Sequence, residues 1–540
     1  MMSPRLLLRL HRIGLIAMAY FGIFYVLVNS AAFPLIAGKT RASQEAFGHS
    51  ITVLGATFSW LLPLPVRPDT AAGYLQWRGY GFFAIAFAAW GLLSACGAVR
   101  RDEDRGLVES WLSSGIPRLR LLATRSLFFA GLSAEIVTLA GAAGWLGCLI
   151  GGTPVEVGGM VGESAALWAL TLACFGVGLL VSQLVSDFRA AASAGSALLV
   201  LMFLLDSIGR SSVNRAPFSD ISVFFLFNKS NAVAPGGTFD LTATVLLFVT
   251  AAVTTIVASL GFVRRDVGSG LIRTRPRRAA DVHDASANPL LRIPIVRGLW
   301  IRRVGSLSWT AGMAVTAAAV VLLVNVTATF FATTPSLSLY LRGLPGDVHT
   351  VLLALIWLSF GQALVAIFAI TCVSRWSGDD SSGVLEMQLA EPLPRWGVLG
   401  ERAAELTVTV TVMSFAAMAV ILALAPAEGI SIDVGSMLSA TALLVPFALT
   451  FAAAGALLAG WRPRVAVVVL STVAVISYLV FELGPLFKWP DWANNLSVFQ
   501  LYGTPLITPV FVGGLIAMLA IVVVGFGSAG VVLARRDVAA

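Results

Sequence analysis

Apolar runs of about 20 residues recur along this chain, separated by short polar stretches that are rich in arginine. A helix needs a run of that length to cross the hydrocarbon core of a bilayer. Over 540 residues, 58% are apolar and only 12% are charged, which leaves too little polar surface for a water-soluble protein of this size. The pattern therefore predicts an all-α integral membrane protein.

Twelve of the runs are predicted to be transmembrane helices, six in each half of the chain. The predicted spans are 13–33, 79–99, 125–150, 161–185, 190–209, 239–263, 304–331, 350–374, 403–425, 435–460, 464–483 and 505–533. Under this count the arginine-rich connections all fall on one side, which the positive-inside rule assigns to the cytoplasm. We therefore expect a multi-pass protein of a bacterial plasma (inner) membrane with both termini in the cytoplasm. The bias toward arginine, alanine, valine and glycine is typical of a high-GC bacterial genome.

Two segments near the N-terminus need separate interpretation. Span 13–33 follows three arginines, as a signal peptide would, but it is too long and has no small-residue cleavage site, so it is interpreted as a retained span. The apolar segment 51–64 is short for a span and ends at Pro63 and Pro65. It is predicted to be an extracytoplasmic or re-entrant helix, because a thirteenth crossing would place segment 100–125 outside the cell.

Segment 100–125, RRDEDRGLVESWLSSGIPRLRLLATR, is a charged interruption that occurs again in the second half of the chain. One constant offset, without a gap, pairs Gly106 with Gly383, Glu109 with Glu386, Leu112 with Leu389, Pro117 with Pro394, Arg118 with Arg395 and Arg125 with Arg402. A polar element repeated once per half suggests two equivalent docking points for something outside the membrane.

Shorter motifs extend the repeat. Arg-Arg-Asp-Val occurs at 264–267 and again at 535–538, after the last span of each half. Ile221–Phe224 is likewise similar to Leu496–Phe499. The predicted organisation is a first six-span repeat at 1–267, a cytosolic linker at 268–298 that is flexible at first, and a second six-span repeat at 299–540. Six spans is an even number, so the two repeats are expected to be parallel.

Spacing within the repeated segment predicts a two-turn amphipathic helix in each copy. Val108 and Leu112 are four residues apart on one face, as are Leu385 and Leu389 in the second copy. Glu109 and Glu386 take the opposite face, and the prolines at 117 and 394 are placed to start the following span. Arginines alternate with apolar residues at 6–12 and 290–303, which favours short helices in the membrane interface.

The pattern Gly-x-x-Glu-x-x-Leu followed by Pro-Arg between spans two and three resembles the coupling-helix region of ABC transporter permeases of the type-two exporter family. The fused twelve-span form is similar to the polyketide-antibiotic or multidrug exporter permeases of that family, as is Arg-Arg-Asp-Val after each sixth span. Gly115 in the first copy stands where the second has Pro392. This difference puts strict equivalence of the two copies in doubt.

The resemblance implies a permease that moves compounds outward with energy from a separate ATPase. Two copies of that nucleotide-binding subunit would dock on the coupling helices, and ATP and magnesium would be bound there rather than on this chain. Glu109 and Glu386 would lie in the docking groove, with Arg118 and Arg395 facing acidic or phosphate-rich surroundings beside it. The chain has no complete phosphate-binding loop of its own, since the Gly-Lys-Thr at 38–40 lacks the earlier glycine of that motif.

A proton-coupled secondary multidrug transporter of the major-facilitator type is the alternative, because it also has twelve spans in two parallel halves. Such coupling needs an ionisable group near the bilayer midplane. Glu135 is the best candidate for a buried proton carrier, although a satisfied structural carboxylate is the simpler explanation for it. An enzyme is not expected, since the sequence offers neither catalytic residues nor a cluster of metal ligands.

Aromatic and amide side chains within the spans are candidates for the substrate path. They are Phe83, Phe87, Phe203, Trp357, Phe360, Gln362 and Tyr478. The same side chains could equally pack between helices or face lipid. A cavity lined by them would take a hydrophobic or amphipathic small molecule, such as a drug, a polyketide antibiotic or a lipid, and no nucleic acid.

Overall fold

A computed structural model describes residues 4–57, 62–211, 220–272, 289–333, 347–381, 383–390, 394–483 and 489–535. The chain divides into two compact units, Met1–Arg278 and Ala279–Ala540. Within the described ranges both units consist of helices and connecting turns, without a strand, as the sequence predicts for an all-α membrane protein.

The first unit has six long helices and several short ones. They are α1 (Pro4–Ala31), α2 (Phe33–Ala37), α3 (Arg41–Thr57), α4 (Ala71–Asp104, with π-helical turns at Leu75–Tyr80 and Gly97–Arg101), α5 (Leu107–Ser113), α6 (Arg118–Ile150), α7 (Val157–Leu184), α8 (Phe188–Ser211), α9 (Val223–Asn228) and α10 (Leu241–Arg264). Helix α7 packs against α4 and α10, and α1 packs against α6.

Glycines allow α4 and α7 to approach each other closely. A Cβ atom on Gly91 would lie 2.4 Å from the carbonyl oxygen of Thr171, and one on Gly178 would lie 2.5 Å from that of Leu92. Small residues let membrane helices bring their backbones together and gain van der Waals contact, since the hydrophobic effect does not drive helices together inside lipid. These contacts explain why α7 is the central helix of the first unit.

The second unit repeats this pattern of helices. After a 3₁₀ turn at Pro289–Arg292 it contains α11 (Pro294–Thr333), α12 (Val348–Ser381), α13 (Val384–Leu389), α14 (Arg395–Leu424), α15 (Val434–Trp461), α16 (Pro463–Leu483), α17 (Asp491–Asn494), α18 (Val498–Tyr502) and α19 (Val512–Arg535). Helix α15 packs against α12 and α19, and α11 packs against α14. The main pairs of packed long helices are therefore the same in the two units.

Eleven helices in the described ranges are long and apolar enough to cross a membrane, and they coincide with eleven of the twelve predicted spans. The remaining prediction, 464–483, corresponds to α16, whose apolar part at Val465–Phe481 is shorter. Of the segment 51–64 predicted as an extracytoplasmic or re-entrant helix, residues 51–57 form the end of α3, which begins at Arg41, and residues 62–64 are not helical. Residues 58–61 of that segment lie outside the described ranges.

The two predicted interfacial helices differ from the structure. Residues 6–12 are early turns of α1, and most of 290–303 forms the beginning of α11. No proline lies between Pro294 and the end of α11, so the basic turns continue into the apolar helix without interruption. The arginines there extend long helices and do not form separate elements.

The start of the predicted linker also differs from expectation. The backbone N–H groups of Leu271 and Ile272 donate to the carbonyl oxygens of Gln183 and Leu184, at 2.9 and 3.0 Å. Residues 268–272 are thus held against the end of α7, because those terminal carbonyls have no partner within their own helix. Residues 273–288 of the linker lie outside the described ranges.

Candidate coupling site

The first copy of the repeated segment forms α5, a helix that starts at a left-handed glycine. Gly106 has φ +69°, a conformation that glycine adopts at little cost, and its N–H donates to the carbonyl oxygen of Glu103 at 2.8 Å. Val108 is 1% exposed and packs in a cluster with Leu121 and Leu122 of α6. Glu109 is exposed and makes no hydrogen bond or ion pair with the residues that the structure describes. The helix therefore has one buried face and presents a free carboxylate on the other.

The second copy, α13, has the same construction. Gly383 has φ +77° and its N–H donates to the carbonyl oxygen of Asp380 at 3.4 Å. Leu385, which the repeat aligns with Val108, is 2% exposed, and Leu389 packs against the same core. Glu386 is exposed and has no side-chain partner among the described residues. The predicted amphipathic helix is thus present in each unit.

Prolines end the connection in both copies. Pro117 and Pro394 have extended backbones, with ψ of 141° and 138°, and the long helices α6 and α14 begin at the next residue. Both prolines lie at the predicted starts of the third helix in each unit. Gly115 adopts a left-handed φ of +85° before Pro117, whereas Pro392 in the second copy lies outside the described ranges.

Arg118 and Arg395 bind carbonyl groups of their own unit. The Nη1 atom of Arg118 donates to the carbonyl oxygens of Arg265, at 2.5 Å, and Val263. Arg395 donates in the same way to Leu533, at 2.7 Å, and Ala534. Helix C-termini carry unpaired carbonyls and partial negative charge, which attract a guanidinium group. In the structure these arginines contact the ends of α10 and α19, and the acidic or phosphate-rich surroundings expected beside a docking groove stay a prediction.

A pair of aspartates was missed by sequence reasoning. Arg125 lies 2.7 Å from Asp102, and Arg402 lies 3.5 Å from Asp379. The constant offset that pairs the two arginines also pairs the two aspartates. Alignment of the two copies could therefore have identified Asp102 and Asp379 as a repeated pair of residues. Each ion pair joins the end of the second long helix to the third, beside the short helix α5 or α13.

The first unit adds a buried ion cluster that contains Arg100, Glu103 and Arg265. The Glu103 carboxylate accepts from Arg100 Nη1 at 2.6 Å and also binds Arg265 Nη2. Arg100 is 0% exposed, and its Nε donates to the carbonyl oxygen of Ser182 at 2.5 Å. Both arginines also donate to the carbonyl oxygen of Ser269. The cluster ties α4 to α7 and to the segment after α10.

The second unit has different residues at the positions that correspond to this ion cluster. The repeat places Ser377 where the first unit has Arg100, and Asp380 where it has Glu103. Ser377 is buried. The counterpart of Arg265 is Arg536, which lies outside the described ranges. The short helices α5 and α13 are therefore alike in themselves, but the side chains at the Arg100 and Ser377 positions beside them differ.

The predicted substrate-path residues are mostly packed inside their own units. Phe83 and Phe87 are fully buried and lie in a row of rings, with centroids 5.2 Å apart. Phe203 packs on Phe224, and Tyr478 on Phe499. For these residues packing explains their position, and a role in the path stays a prediction.

Three residues of α12 have different surroundings. Trp357 is buried in the core of the second unit, whereas Phe360 is 54% exposed. Gln362 is 0% exposed, and neither atom of its side-chain amide has a hydrogen-bond partner among the described residues. Trp357 therefore lies in the core, Phe360 on the surface and Gln362 at a buried position without a described hydrogen-bond partner.

Two carboxylates of the spans can be compared directly. Glu163 is fully buried but satisfied, since it accepts from Gln76 at 2.9 Å and from the N–H of Ala232 at 3.1 Å. Glu135 is exposed on α6 and has no hydrogen bond or ion pair to the described residues. It is therefore neither the buried proton carrier nor the satisfied structural carboxylate that the sequence suggested.

Comparison with known proteins connects this architecture to a family. A family model described as the C-terminal domain of the multidrug efflux system permease Rv1217c matches residues 5–263 and 291–535. The multidrug efflux system permease protein Rv1217c of Mycobacterium tuberculosis (strain ATCC 25618 / H37Rv) is 30% identical over 249 residues. That alignment covers 46% of this chain and 42% of the relative, so the matched part is less than half of either protein.

Proposed function

Since this chain belongs to the Rv1217c family of multidrug efflux permeases, we propose that it is the transmembrane subunit of an ATP-driven ABC exporter. Two copies of a separate ATPase subunit bind its two coupling helices and carry the ATP and magnesium. The cargo is a hydrophobic or amphipathic compound that leaves the cell. The chain lies in a bacterial plasma membrane with both termini in the cytoplasm, as the arginine distribution indicates.

The observation that carries this proposal is the matched pair of helices α5 and α13. Each begins at a left-handed glycine, buries one apolar residue at Val108 or Leu385, and turns a carboxylate without a described partner outward at Glu109 or Glu386. A short helix fixed on one face and unsatisfied on the other is suited to binding a groove on another protein. Its occurrence once per unit fits a partner with two copies.

The surrounding contacts suggest how a movement of the ATPase would reach the membrane helices. Arg125 and Arg402 join the second and third long helices of each unit beside the coupling helix. Arg118 and Arg395 join the third long helix to the end of the sixth. Displacement of a coupling helix would therefore act on several long helices together, as in rigid-body switching.

The test removes both carboxylates, Glu109→Ala together with Glu386→Ala, in a permease co-expressed with a candidate ABC ATPase subunit that co-purifies with the parent chain. Both side chains are exposed and have no partner among the described residues, so we expect a normally folded permease. Drug export in vesicles should fall by about tenfold or more while ATP hydrolysis by the complex continues, because coupling is lost. Size-exclusion chromatography, ATPase assays and vesicle uptake measure these three properties.

A matched control is Glu156→Ala together with Asp220→Ala, which removes two exposed carboxylates elsewhere on the first unit. That variant should export normally. Unchanged export in the Glu109/Glu386 variant would contradict the role given to α5 and α13. Export that follows a proton gradient, ignores ATP and proceeds without any co-purifying ATPase would instead favour the major-facilitator type of transporter.

A further inference from the structure

A cavity of about 520 Å³ lies between α6 and α7 in the first unit. Six residues of each helix line it, and nearly all of them are apolar or small. Thr138 of α6 and Ser164 of α7 supply two hydroxyl groups. Pockets of a few hundred cubic ångströms with apolar walls and few polar groups are typical of sites for drug-sized molecules. The aromatic residues that the sequence suggested for the path in this unit, Phe83, Phe87 and Phe203, do not line it.

Two tryptophans of the cavity wall are held in place by hydrogen bonds. The indole Nε1 of Trp145 donates to the carbonyl oxygen of Val155 at 3.2 Å. Trp168 Nε1 donates to the Oγ of Ser133 at 3.1 Å. Because their N–H groups are satisfied, both rings can offer apolar surface to a ligand without a polar penalty. The aromatic part of the wall is therefore formed before a ligand binds.

Glu135 lies on α6 at the edge of this cavity, next to the lining residue Ala134, and is not itself one of the lining residues. It lies between Ala134 and Thr138 in the sequence, and both of these residues line the cavity. At 1.5 Å per residue it is about 15 Å along the helix from Arg125, well inside the predicted span. An ionisable side chain at such a depth is costly to insert into the membrane and usually serves a function. Its carboxylate nevertheless has no partner among the described residues.

The second unit shows that the fold does not require this charge. The constant offset between the two copies aligns Glu135 with Val412 of α14, which is 54% exposed. An apolar residue at an exposed position of a transmembrane helix is the ordinary choice. The carboxylate in the first unit therefore needs an explanation beyond helix packing.

We propose that this cavity binds organic monocations with a bulky apolar body, which packs against Trp168 and the neighbouring apolar wall while the positive charge pairs with Glu135. An apolar wall accepts the body, and a lone carboxylate in a medium of low dielectric constant favours a cation over a neutral molecule. This assignment of a substrate class rests on the proposed export function, although binding itself requires no ATPase.

The experiment measures binding of tetraphenylphosphonium to the purified full-length chain in phosphatidylcholine nanodiscs by equilibrium dialysis. Neutral triphenylphosphine oxide is the uncharged probe. Glu135→Gln should weaken binding of the cation by about tenfold or more and leave the neutral probe unchanged, because only the charge pair is lost. Glu135→Asp should retain most of the preference for the cation. Asp220→Asn, which neutralises an exposed carboxylate away from the cavity, should change neither affinity.

A second variant tests the cavity itself. Ala165→Trp places an indole in the space between the helices and should weaken both probes by a similar factor. The assignment is overturned if Glu135→Gln binds the cation as tightly as the parent, if Ala165→Trp leaves both probes unaffected, or if the cation does not bind saturably.

The result is independent of the coupling test. The Glu109→Ala, Glu386→Ala variant should bind the cation normally, since α5 and α13 form no part of the cavity. Saturable binding that depends on Glu135, found in a protein that does not export with ATP, would support the site and remove the proposed function. ATP-driven export by a protein that does not bind the cation at this cavity would support the proposed function and overturn the site.

Discussion

Glu103 is the only acid in the described residues that binds both Arg100 and Arg265, and all three side chains are almost completely buried. A buried guanidinium without an acidic partner is strongly unfavourable, because its hydration is lost and not replaced. The cluster therefore depends on this one carboxylate more than on either arginine.

Glu103→Ala should lower the stability of the permease by about 3 kcal/mol or more, because it leaves two buried positive charges together. The neighbouring variant Asp104→Ala is the control. Asp104 is exposed and accepts from the N–H of Phe188 at 3.1 Å, so its removal should cost about 1 kcal/mol. The apparent melting temperatures of the purified variants test the difference, and equal losses would contradict the view that Glu103 holds the cluster.

Comparison of the two copies located residues that occupy matching places in the structure, and the role of these residues in coupling stays a prediction. The constant offset between the copies identified Gly106, Glu109 and Pro117 with their counterparts, and it also contained the Asp102–Asp379 pair. It could not reveal that Glu103 binds Arg265, because those residues are 162 positions apart and meet only through the packing of α4, α7 and α10. Long-range contacts of this kind leave no periodic signal in a single sequence.

The packing of α7 on α4 depends on glycines at the points of closest approach. Leu92 of α4 occupies the space beside Gly178, and the backbone of α7 occupies the space beside Gly91. Backbone atoms cannot move aside as a flexible side chain can, so these positions have little tolerance for added volume. Helix α7 contains a useful contrast in Gly158, where an added methyl group would meet no described atom within 4 Å.

Gly178→Ala should destabilise the protein by about 1–3 kcal/mol, since the new Cβ would lie 2.5 Å from a backbone oxygen. Gly158→Ala in the same helix should be neutral or slightly stabilising, because alanine favours the helix and meets no neighbour. Thermal unfolding of the two variants measures this. A similar gain in stability at both positions would show that helix propensity rather than packing controls α7.

Element-level prediction was accurate for the apolar parts and weaker at their ends. Periodic apolar runs located the long helices, but α4 and α12 continue into the charged stretches that end at Asp104 and Ser381. Charged residues can extend a helix beyond the hydrocarbon region, so hydropathy marks the span rather than the helix. For the same reason α1 and α11 absorb the predicted interfacial segments.

At the scale of the whole molecule, the chain consists of two compact units whose boundary falls between Arg278 and Ala279. Residues 268–272, ahead of that boundary, make hydrogen bonds with helices of the first unit. Ser269 accepts from Arg100 and Arg265, and Leu271 donates to the end of α7. The first unit therefore includes part of what composition alone identified as linker.

Inserting a ten-residue Gly-Ser segment between Arg278 and Ala279 should leave the apparent melting temperature nearly unchanged, since longer loops cost only about 0.6 kcal/mol per doubling. The same insertion between Gly268 and Ser269 should lower it by several degrees, because it displaces Ser269 from two guanidinium groups. Thermal unfolding of both proteins provides the measurement. Equal tolerance at the two sites would contradict the assignment of 268–272 to the first unit.

The cluster around Arg100 also bears on gene architecture, because Ser377 cannot supply the guanidinium at the matching place. A transporter assembled from two copies of one half-length polypeptide would carry such a cluster twice or not at all, since a mutation in one gene alters both copies. A single gene that encodes both halves separates their mutational histories. In a fused gene, one unit can gain a stabilising charged residue such as Arg100 while the matching position of the other unit, Ser377, evolves independently.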